Sequence, residues 1–286
     1  MKNLKRLLLS IVCFLTASVN ANAQQQDSTG MPGDNFSLQG ALEMFKQASS
    51  PEEFEKLINS QDKNVNNLDL NGDGEIDYIK VIDKAENKVH AFILQVAISE
   101  TENQDIAVIE LEKTGDTTAV LQIVGDEDIF GEQVIVEASD EGDEADDASG
   151  SANGPSAFSM DEPYRIVVNV FFWPSVRFVY RPVYVPWVSP WRWRHYPGWW
   201  RPWRPLAWHT FHPLCYHYHR HFAVVRTHRV IVAHRVYTPF RATSVIVRTR
   251  TTVARGNYRV VRAKRVGGNR PRGNGRGRGR GKGRKG

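Results

Sequence analysis

All 32 aspartates and glutamates of this 286-residue chain lie at or before Glu162, and no carboxylate side chain follows. Residues 163–286 hold 27 of the 37 lysines and arginines, whereas residues 24–162 hold seven. The two parts therefore carry formal charges of about −25 and +27, although the whole chain carries only +5. Such a chain must either pair its own halves or present each of them to an oppositely charged partner.

The first 23 residues are typical of a secretory signal peptide. A basic start precedes an apolar run at residues 7–15, and the small-residue tripeptide Ala21-Asn22-Ala23 follows it. That run is too short to cross a bilayer as a helix. We therefore expect export across the inner membrane to the periplasm, the cell surface or the medium. Only Cys215 then remains, so no internal disulfide is expected.

Residues 36–137 are predicted to form a small acidic α+β domain, preceded by a polar, disordered lead-in at 24–35. Ser37 precedes one amphipathic segment, and Ser50 precedes another that has Pro51 at its first position and Glu53 at its third, a capping-box pattern. Extended segments are predicted at 76–82, 89–98, 105–112, 118–124 and 132–137. Their short connections favour an antiparallel β-meander with the two short N-terminal helices packed on it.

Between the helices and the strands lies the nonapeptide DLNGDGEID, residues 69–77. It places oxygen-bearing side chains at positions 1, 3, 5 and 9 and glycine at position 6, as a calcium loop requires. The loop resembles those of EF-hands and dockerin modules. That resemblance implies calcium ligands at Asp69, Asn71, Asp73, Asp77 and the carbonyl group of Glu75.

The resemblance to EF-hands ends after these nine residues. Position 12 is Lys80, where an EF-hand has a bidentate glutamate, and a strand is predicted to follow. We expect a structural calcium ion bound with a dissociation constant on the order of 0.1–1 mM, as in other extracellular modules. The alternative is a turn in which Asp, Asn and Gly only shape the backbone.

Residues 138–162 contain eight carboxylates and few apolar side chains, which predicts a disordered acidic linker. The linker either keeps the protein soluble or shields the basic half that follows. From residue 163 onward we expect a largely irregular or β-prone basic C-terminal half.

The segment 163–222 is rich in Trp, Arg, Pro and His, and holds all eight tryptophans between positions 173 and 208. Its composition is similar to that of Trp/Pro/Arg-rich antimicrobial peptides. Arginine neutralises phosphate while indole rings bury apolar area, so this pairing suits anionic surfaces and stacked bases. The alternative is that the rings pack against the first half. The expected polyanion-binding residues are Trp191, Arg192, Trp193, Arg194, Trp199, Trp200, Arg201, Trp203, Arg204, Arg276, Arg278 and Arg280.

A second metal site, for zinc or copper, is predicted at Cys215, His217, His219 and His221. On an extended backbone these side chains would point the same way. This half has no carboxylate to orient the imidazoles, which favours the alternative of a polar aromatic patch that becomes charged at acid pH.

Residues 223–266 alternate β-branched and basic side chains, as in a half-buried strand. Residues 267–286 form an Arg/Gly tail similar to the RGG segments that bind nucleic acid, and a disordered tail is expected.

Three functions remain open from the sequence. The first is a non-enzymatic envelope or extracellular protein that binds an anionic envelope polymer, a lipid surface or extracellular nucleic acid. The second is self-association in which acidic and basic halves pair. The third is an enzyme, but the sequence contains no G-x-S-x-G, H-E-x-x-H or Walker motif. No small-molecule substrate is predicted. The layout is similar to that of secreted bacterial proteins that join a D-x-N-x-D-G loop domain to an aromatic, Arg-rich tail, a resemblance that implies no activity.

Overall fold

The computed structural model describes residues 28–139 and 167–268, with side chains described as far as Arg262. The predicted signal peptide, almost all of the acidic linker and most of the Arg/Gly tail, with Arg276, Arg278 and Arg280, lie outside these residues. In the two described ranges, every helix is too short or too polar to cross a bilayer.

Two helices begin where the sequence predicts. Helix α1 spans Leu38–Gln47 and α2 spans Pro51–Ile58. The hydroxyl groups of Ser37 and Ser50 accept the N–H groups of residues 40 and 53 at 2.9 and 3.1 Å. The predicted N-cap at Ser50 is therefore confirmed, and Ser37 caps α1 in the same way. The capping box itself differs from the prediction, because the Glu53 carboxylate accepts the N–H of Ser49 instead of that of Ser50.

The strands form one antiparallel sheet in sequential order. Its members are β1 (Ile79–Glu86), β2 (Val89–Ala97), β3 (Asn103–Gly115), β4 (Thr118–Gly125), β5 (Val134–Ala138) and β6 (Phe222–Val225), and the short helix α3 (Glu127–Phe130) lies between β4 and β5. The predicted α+β class and its antiparallel meander are confirmed. The sixth strand is an addition from the basic half, in which residues 222–225 pair with residues 135–138 of β5.

The two faces of the sheet are covered differently, the first by α1 and α2 together with second-half residues such as Val176 and Phe211, and the second by the second half. On the first face, Phe92, Leu94 and Val96 of β2 belong to the main core together with α1 and α2. On the second face, Ala91 and Ile93 pack with residues of β3, β4, β5 and the second half of the chain. Both faces are buried, so the central strands contain long apolar runs, although β3 also carries the buried polar residues Gln104, Asp105 and Glu110.

The basic half is more helical than its sequence predicts. Its helices are α4 (Pro174–Val179), α5 (Trp208–Cys215), α6 (Ile231–Tyr237), α7 (Val245–Arg250) and α8 (Thr252–Gly268). Short 3-10 helices lie at Pro32–Asn35, Gln61–Lys63, Tyr216–Arg220 and Thr238–Phe240. Among the described residues of this half, the longest irregular stretch is 180–207, as expected for a run with repeated prolines.

Two predictions about local order are wrong. The β-prone segment 223–266 forms a strand only as far as Val225, because its buried side chains recur at helical spacing, as in Ala233 and Tyr237. Tertiary packing here outweighs the modest preference of β-branched residues for strands. In the lead-in predicted to be disordered, residues 28–35 are ordered by the buried Asp34 carboxylate, which accepts the hydroxyl groups of Ser28 and Thr29 at 2.6 and 2.8 Å.

Candidate functional site

Carboxylates of the acidic half accept hydrogen bonds from the basic half. The Glu55 side chain of α2 is buried and accepts the Trp187 indole N–H at 3.2 Å and the Ser189 hydroxyl at 2.9 Å. The pattern repeats at Asp83 with Tyr184, Glu102 with Ser244, Asp105 with Tyr237, Glu112 with the amides of Val232 and Ala233, Glu132 with Tyr258 and Arg262, and Glu137 with Arg229. Much of the negative charge of the first half is therefore neutralised or bonded within the molecule.

The densest ion-pair cluster lies at α3. The Arg241 guanidinium forms two bonds with the Asp126 carboxylate, at 2.6 and 3.1 Å. Asp128 pairs with Arg255 at 3.0 Å and lies 3.6 Å from Arg248. Asp126 and Asp128 lie at the N-terminus of α3, where the exposed N–H groups also favour negative charge.

On the second face of the sheet, one buried carboxylate contacts two imidazoles. His228 Nε2 lies 2.5 Å from Glu110 Oε2, and His234 Nδ1 lies 2.6 Å from Oε1. The Glu110 side chain is 0% exposed, whereas the side chains of His228 and His234 are 17% and 28% exposed. Hydrogen bonding to Glu110 raises the pKa of His234 above its usual value. In the described ranges, this is the one group of three or more His, Cys, Asp or Glu side chains close enough together to share a metal ion.

Neighbouring strands hold both histidines in place. Gln122, opposite Glu110 on β4, donates to the carbonyl group of Thr227 at 2.9 Å and accepts the Arg229 N–H at 2.7 Å. Its side chain therefore clamps the loop on either side of His228. Glu112 of β3 accepts two N–H groups at the start of α6, the helix that carries His234. Orphan N–H groups at a helix start bond readily to a carboxylate.

The loop predicted to bind calcium contains two turns that need glycine. Gly72 and Gly74 adopt φ of +76° and +85°, which favour glycine. Asp69 accepts their N–H groups at 2.6 and 3.0 Å, and Asp73 accepts the N–H of Glu75 at 2.9 Å.

Two carboxylates of this loop contact the same amide group. Burial raises the pKa of Asp77 to about 7, and the neighbouring charges of Asp69 and Asp73 add to that rise. The Asn71 amide lies between two of these groups, 3.0 Å from oxygens of both Asp73 and Asp77. Oxygen-rich, negatively charged donors of this kind fit a hard cation such as calcium.

Two basic residues outside the nine-residue loop affect how it could bind a cation. Lys80 at position 12 donates to Asn103 at 2.8 Å, so it does not replace the missing glutamate. Arg250 of α7 donates to the Leu70 carbonyl at 3.3 Å and lies so close to Gly72 that a Cβ there would be 1.7 Å from its Nη2. The basic half thus places one positive charge beside the loop, a contact that the sequence does not reveal.

The second predicted metal site is not assembled. Cys215, His217 and His219 lie on a helical backbone instead of an extended one, so their side chains diverge, and His221 is exposed after the 3-10 helix. Burial raises the pKa of the Cys215 thiol to about 11 and lowers that of His219 to about 4. A protonated thiol is a poor metal ligand.

In the predicted polyanion-binding segment the arginines are more exposed than most of the rings. Trp200 is only 3% exposed and packs on Tyr78 of the acidic half, with ring centroids 5.1 Å apart, so it cannot contact a surface partner as predicted. Trp191, Trp193 and Trp203 are half-buried, and Trp199 is exposed. We call the four exposed arginines the arginine face: Arg192, Arg194, Arg201 and Arg204.

Comparison of the chain with protein-family models, curated proteins and solved structures gave no match. The candidate sites therefore rest on the geometry of this chain. Sequence reasoning missed the cluster of Glu110, His228 and His234, because 118 residues separate the carboxylate from the nearer histidine. The only available signal was a pair of histidines six residues apart, which is too common to indicate a site.

Proposed function

We propose that this protein is an exported, non-enzymatic interaction protein whose arginine face binds an anionic polymer or lipid surface of the cell envelope. One arrangement carries the proposal. The four arginines of this face are exposed, whereas only Trp199 of the tryptophans between them is exposed and Trp200 is buried. Across residues 28–139 and 167–268, the ion pairs involve arginines of the later helices and loops but none of these four.

The tryptophan rings pack close to the arginine face, and the guanidinium groups are the parts that would contact a partner. Trp200 and Trp203 form an edge contact at 6.3 Å, and Arg194 lies 5.4 Å from the ring centre of Trp193. The buried Trp200 therefore anchors the chain next to Arg201. A guanidinium group can form bidentate hydrogen bonds with two oxygens of one phosphate or carboxylate. Phosphorylated lipid headgroups, acidic polysaccharides and nucleic acid all present such oxygens.

Duplex DNA is a suitable defined polyanion for the first test. If about ten phosphates are neutralised, the logarithm of the binding constant should fall with the logarithm of salt concentration at a slope near −9. Replacing the arginine face with four alanines should make that slope shallower by about 3 to 4. Parallel titrations with lipopolysaccharide and with vesicles containing anionic lipid rank the candidate partners.

A matched control replaces four exposed arginines elsewhere in the same half: Arg177, Arg181, Arg235 and Arg259. The control variant should retain most of the slope. Equal losses in the two variants would mean that net charge alone drives binding, and a slope near zero would reject the polyanion function.

We further propose that calcium supports the module through the loop at residues 69–77. With a dissociation constant on the order of 0.1–1 mM, 10 mM calcium should stabilise the fold by roughly 1.4–2.7 kcal/mol. Asp73→Asn should remove most of this gain, while Asp62→Asn, a change at an exposed carboxylate outside the loop, should not. Thermal unfolding with calcium, with magnesium and with chelator measures the effect, and an equal gain in both variants would argue against the loop.

The alternative that acidic and basic halves pair is supported in its intramolecular form by the ion pairs at α3. In this form the second half covers the first, and association between copies is not required to neutralise the charge. Light scattering over a range of protein and salt concentrations tests it. Growth in size that salt abolishes would favour pairing between molecules.

A further inference from the structure

We propose that Glu110, His228 and His234 bind a divalent transition-metal ion, with Zn²⁺ as the representative. This site lies on the second face of the sheet and is independent of the calcium loop and of the arginine face. Two imidazole nitrogens and one carboxylate are a donor set that zinc and neighbouring first-row ions prefer.

The distances suit an ion with small side-chain movements. All three ligand atoms lie within 4.8 Å of one another. A tetrahedral ion held about 2.1 Å from each ligand atom needs those atoms about 3.4 Å apart. The present nitrogen–oxygen distances of 2.5 and 2.6 Å are therefore shorter than an ion requires. Movement of each ring nitrogen by less than about 1 Å away from Glu110 would make room for the ion.

The site is rigid where it is buried and open where a further ligand would enter. Glu110 lies in the middle of β3, between Ala91 and Gln122 on the neighbouring strands. The loop that carries His228 and the helix that carries His234 are each held by a separate polar side chain of the sheet, as described above. Since both imidazoles retain some exposure, water can complete the coordination, as in zinc sites with three protein ligands.

Other clusters among the described residues lack this combination. Asp83 and His90 are in contact at 2.9 Å, but that buried pair includes only one imidazole and its third partner is the Tyr184 hydroxyl. The histidines after Cys215 do not converge. The cluster at Glu110 instead joins the two halves of the chain, so a bound ion would fasten the second half onto the sheet.

Calorimetric titration of the whole chain with Zn²⁺ tests the proposal. A background variant, His217→Gln with His219→Gln and His221→Gln, removes the imidazoles that follow Cys215 and should still bind one ion. Adding His228→Gln and His234→Gln to this background should weaken that binding at least tenfold and remove the stabilisation against heat that Zn²⁺ confers.

His228→Gln alone provides a variant that keeps the contact between Glu110 and His234, and urea unfolding without metal checks that each variant is folded. Co²⁺ absorption supplies a second readout, because loss of a nitrogen ligand changes the visible spectrum of the bound ion. Unchanged affinity and spectrum in folded variants, or no binding to the background variant, would overturn the metal site and leave a hydrogen-bonded clasp between the halves.

Discussion

Replacing Arg241 with alanine is expected to destabilise the whole fold by about 2–3 kcal/mol. The guanidinium group and Asp126 form two short bonds, and the Asp126 side chain is only 3% exposed. Breaking a buried pair costs about 3–5 kcal/mol because one charge stays buried without its partner. Arg241 is itself 30% exposed, so solvent screening lowers the expected cost below that range, to about 2–3 kcal/mol. Asp128 retains Arg255, which concentrates the loss at Asp126.

Urea unfolding followed by two signals measures this effect. All eight tryptophans lie between positions 173 and 208, so indole fluorescence reports on the second half. Far-UV circular dichroism reports on the helices and the sheet. With a urea dependence of about 2–3 kcal/mol per molar, the midpoint should fall by about 1 M, and it should fall equally in both signals.

Two comparison variants make the result specific. Arg235→Ala removes an exposed charge from α6 and should change stability by less than about 0.5 kcal/mol. Adding Asp126→Asn to Arg241→Ala should restore part of the loss, since the unpaired buried charge is then gone. If Arg241→Ala were no worse than Arg235→Ala, or if the fluorescence midpoint moved alone, the two halves would not form one cooperative unit.

Three further changes test other parts of the structure. Burial raises the pKa of Asp105 to about 6, whereas its pKa in the unfolded state is near 3.9. Between these values the native state keeps a proton that the unfolded state has lost, so the fold becomes less stable as pH rises. The stability of the wild type should therefore fall by roughly 2–3 kcal/mol relative to Asp105→Asn between pH 4 and 7. Urea midpoints at several pH values measure this difference, and a difference that is flat with pH would contradict it. Phe45→Ala should cost about 3–5 kcal/mol in urea unfolding, because its ring lies within 5.3 Å of two other core rings, and a loss below about 1 kcal/mol would show that this core is loosely packed. Gly131→Ala should cost about 1–3 kcal/mol in thermal unfolding, because Gly131 has φ of +83° and its Cβ would lie 2.7 Å from the ring of Tyr258; a neutral result would mean that α8 does not pack there.

The first half of the fold was predictable because its signals are local. Serine caps at residues 37 and 50 specify the helix starts, and short polar turns between alternating strands specify an antiparallel meander. The nine-residue loop was visible for the same reason. Its glycines and aspartates lie within one turn of backbone, so spacing alone indicates the geometry.

The second half was not predictable from its own residues. Its β-branched pattern indicates strands, yet these residues form α6 and α7. Which of their side chains are buried depends on packing against the rest of the fold. The arginines at 241, 248 and 255 have the same local context as exposed ones, and only the fold places them at the acidic start of α3. Local propensity is worth tenths of a kcal/mol per residue, and long-range burial and ion pairing outweigh it.

The sequence by itself determined the division of charge, the starts of the two N-terminal helices, the antiparallel meander and the position of an acidic loop with two glycines. The tertiary structure alone decided that the two charged halves cover one another, that Trp200 is turned inward while four arginines remain outside, and that Glu110 meets His228 and His234. The physical reason is the range of each interaction. Caps and turns act over a few residues of backbone, whereas a buried carboxylate accepts whichever donor the fold brings to it, however far away that donor lies in the chain.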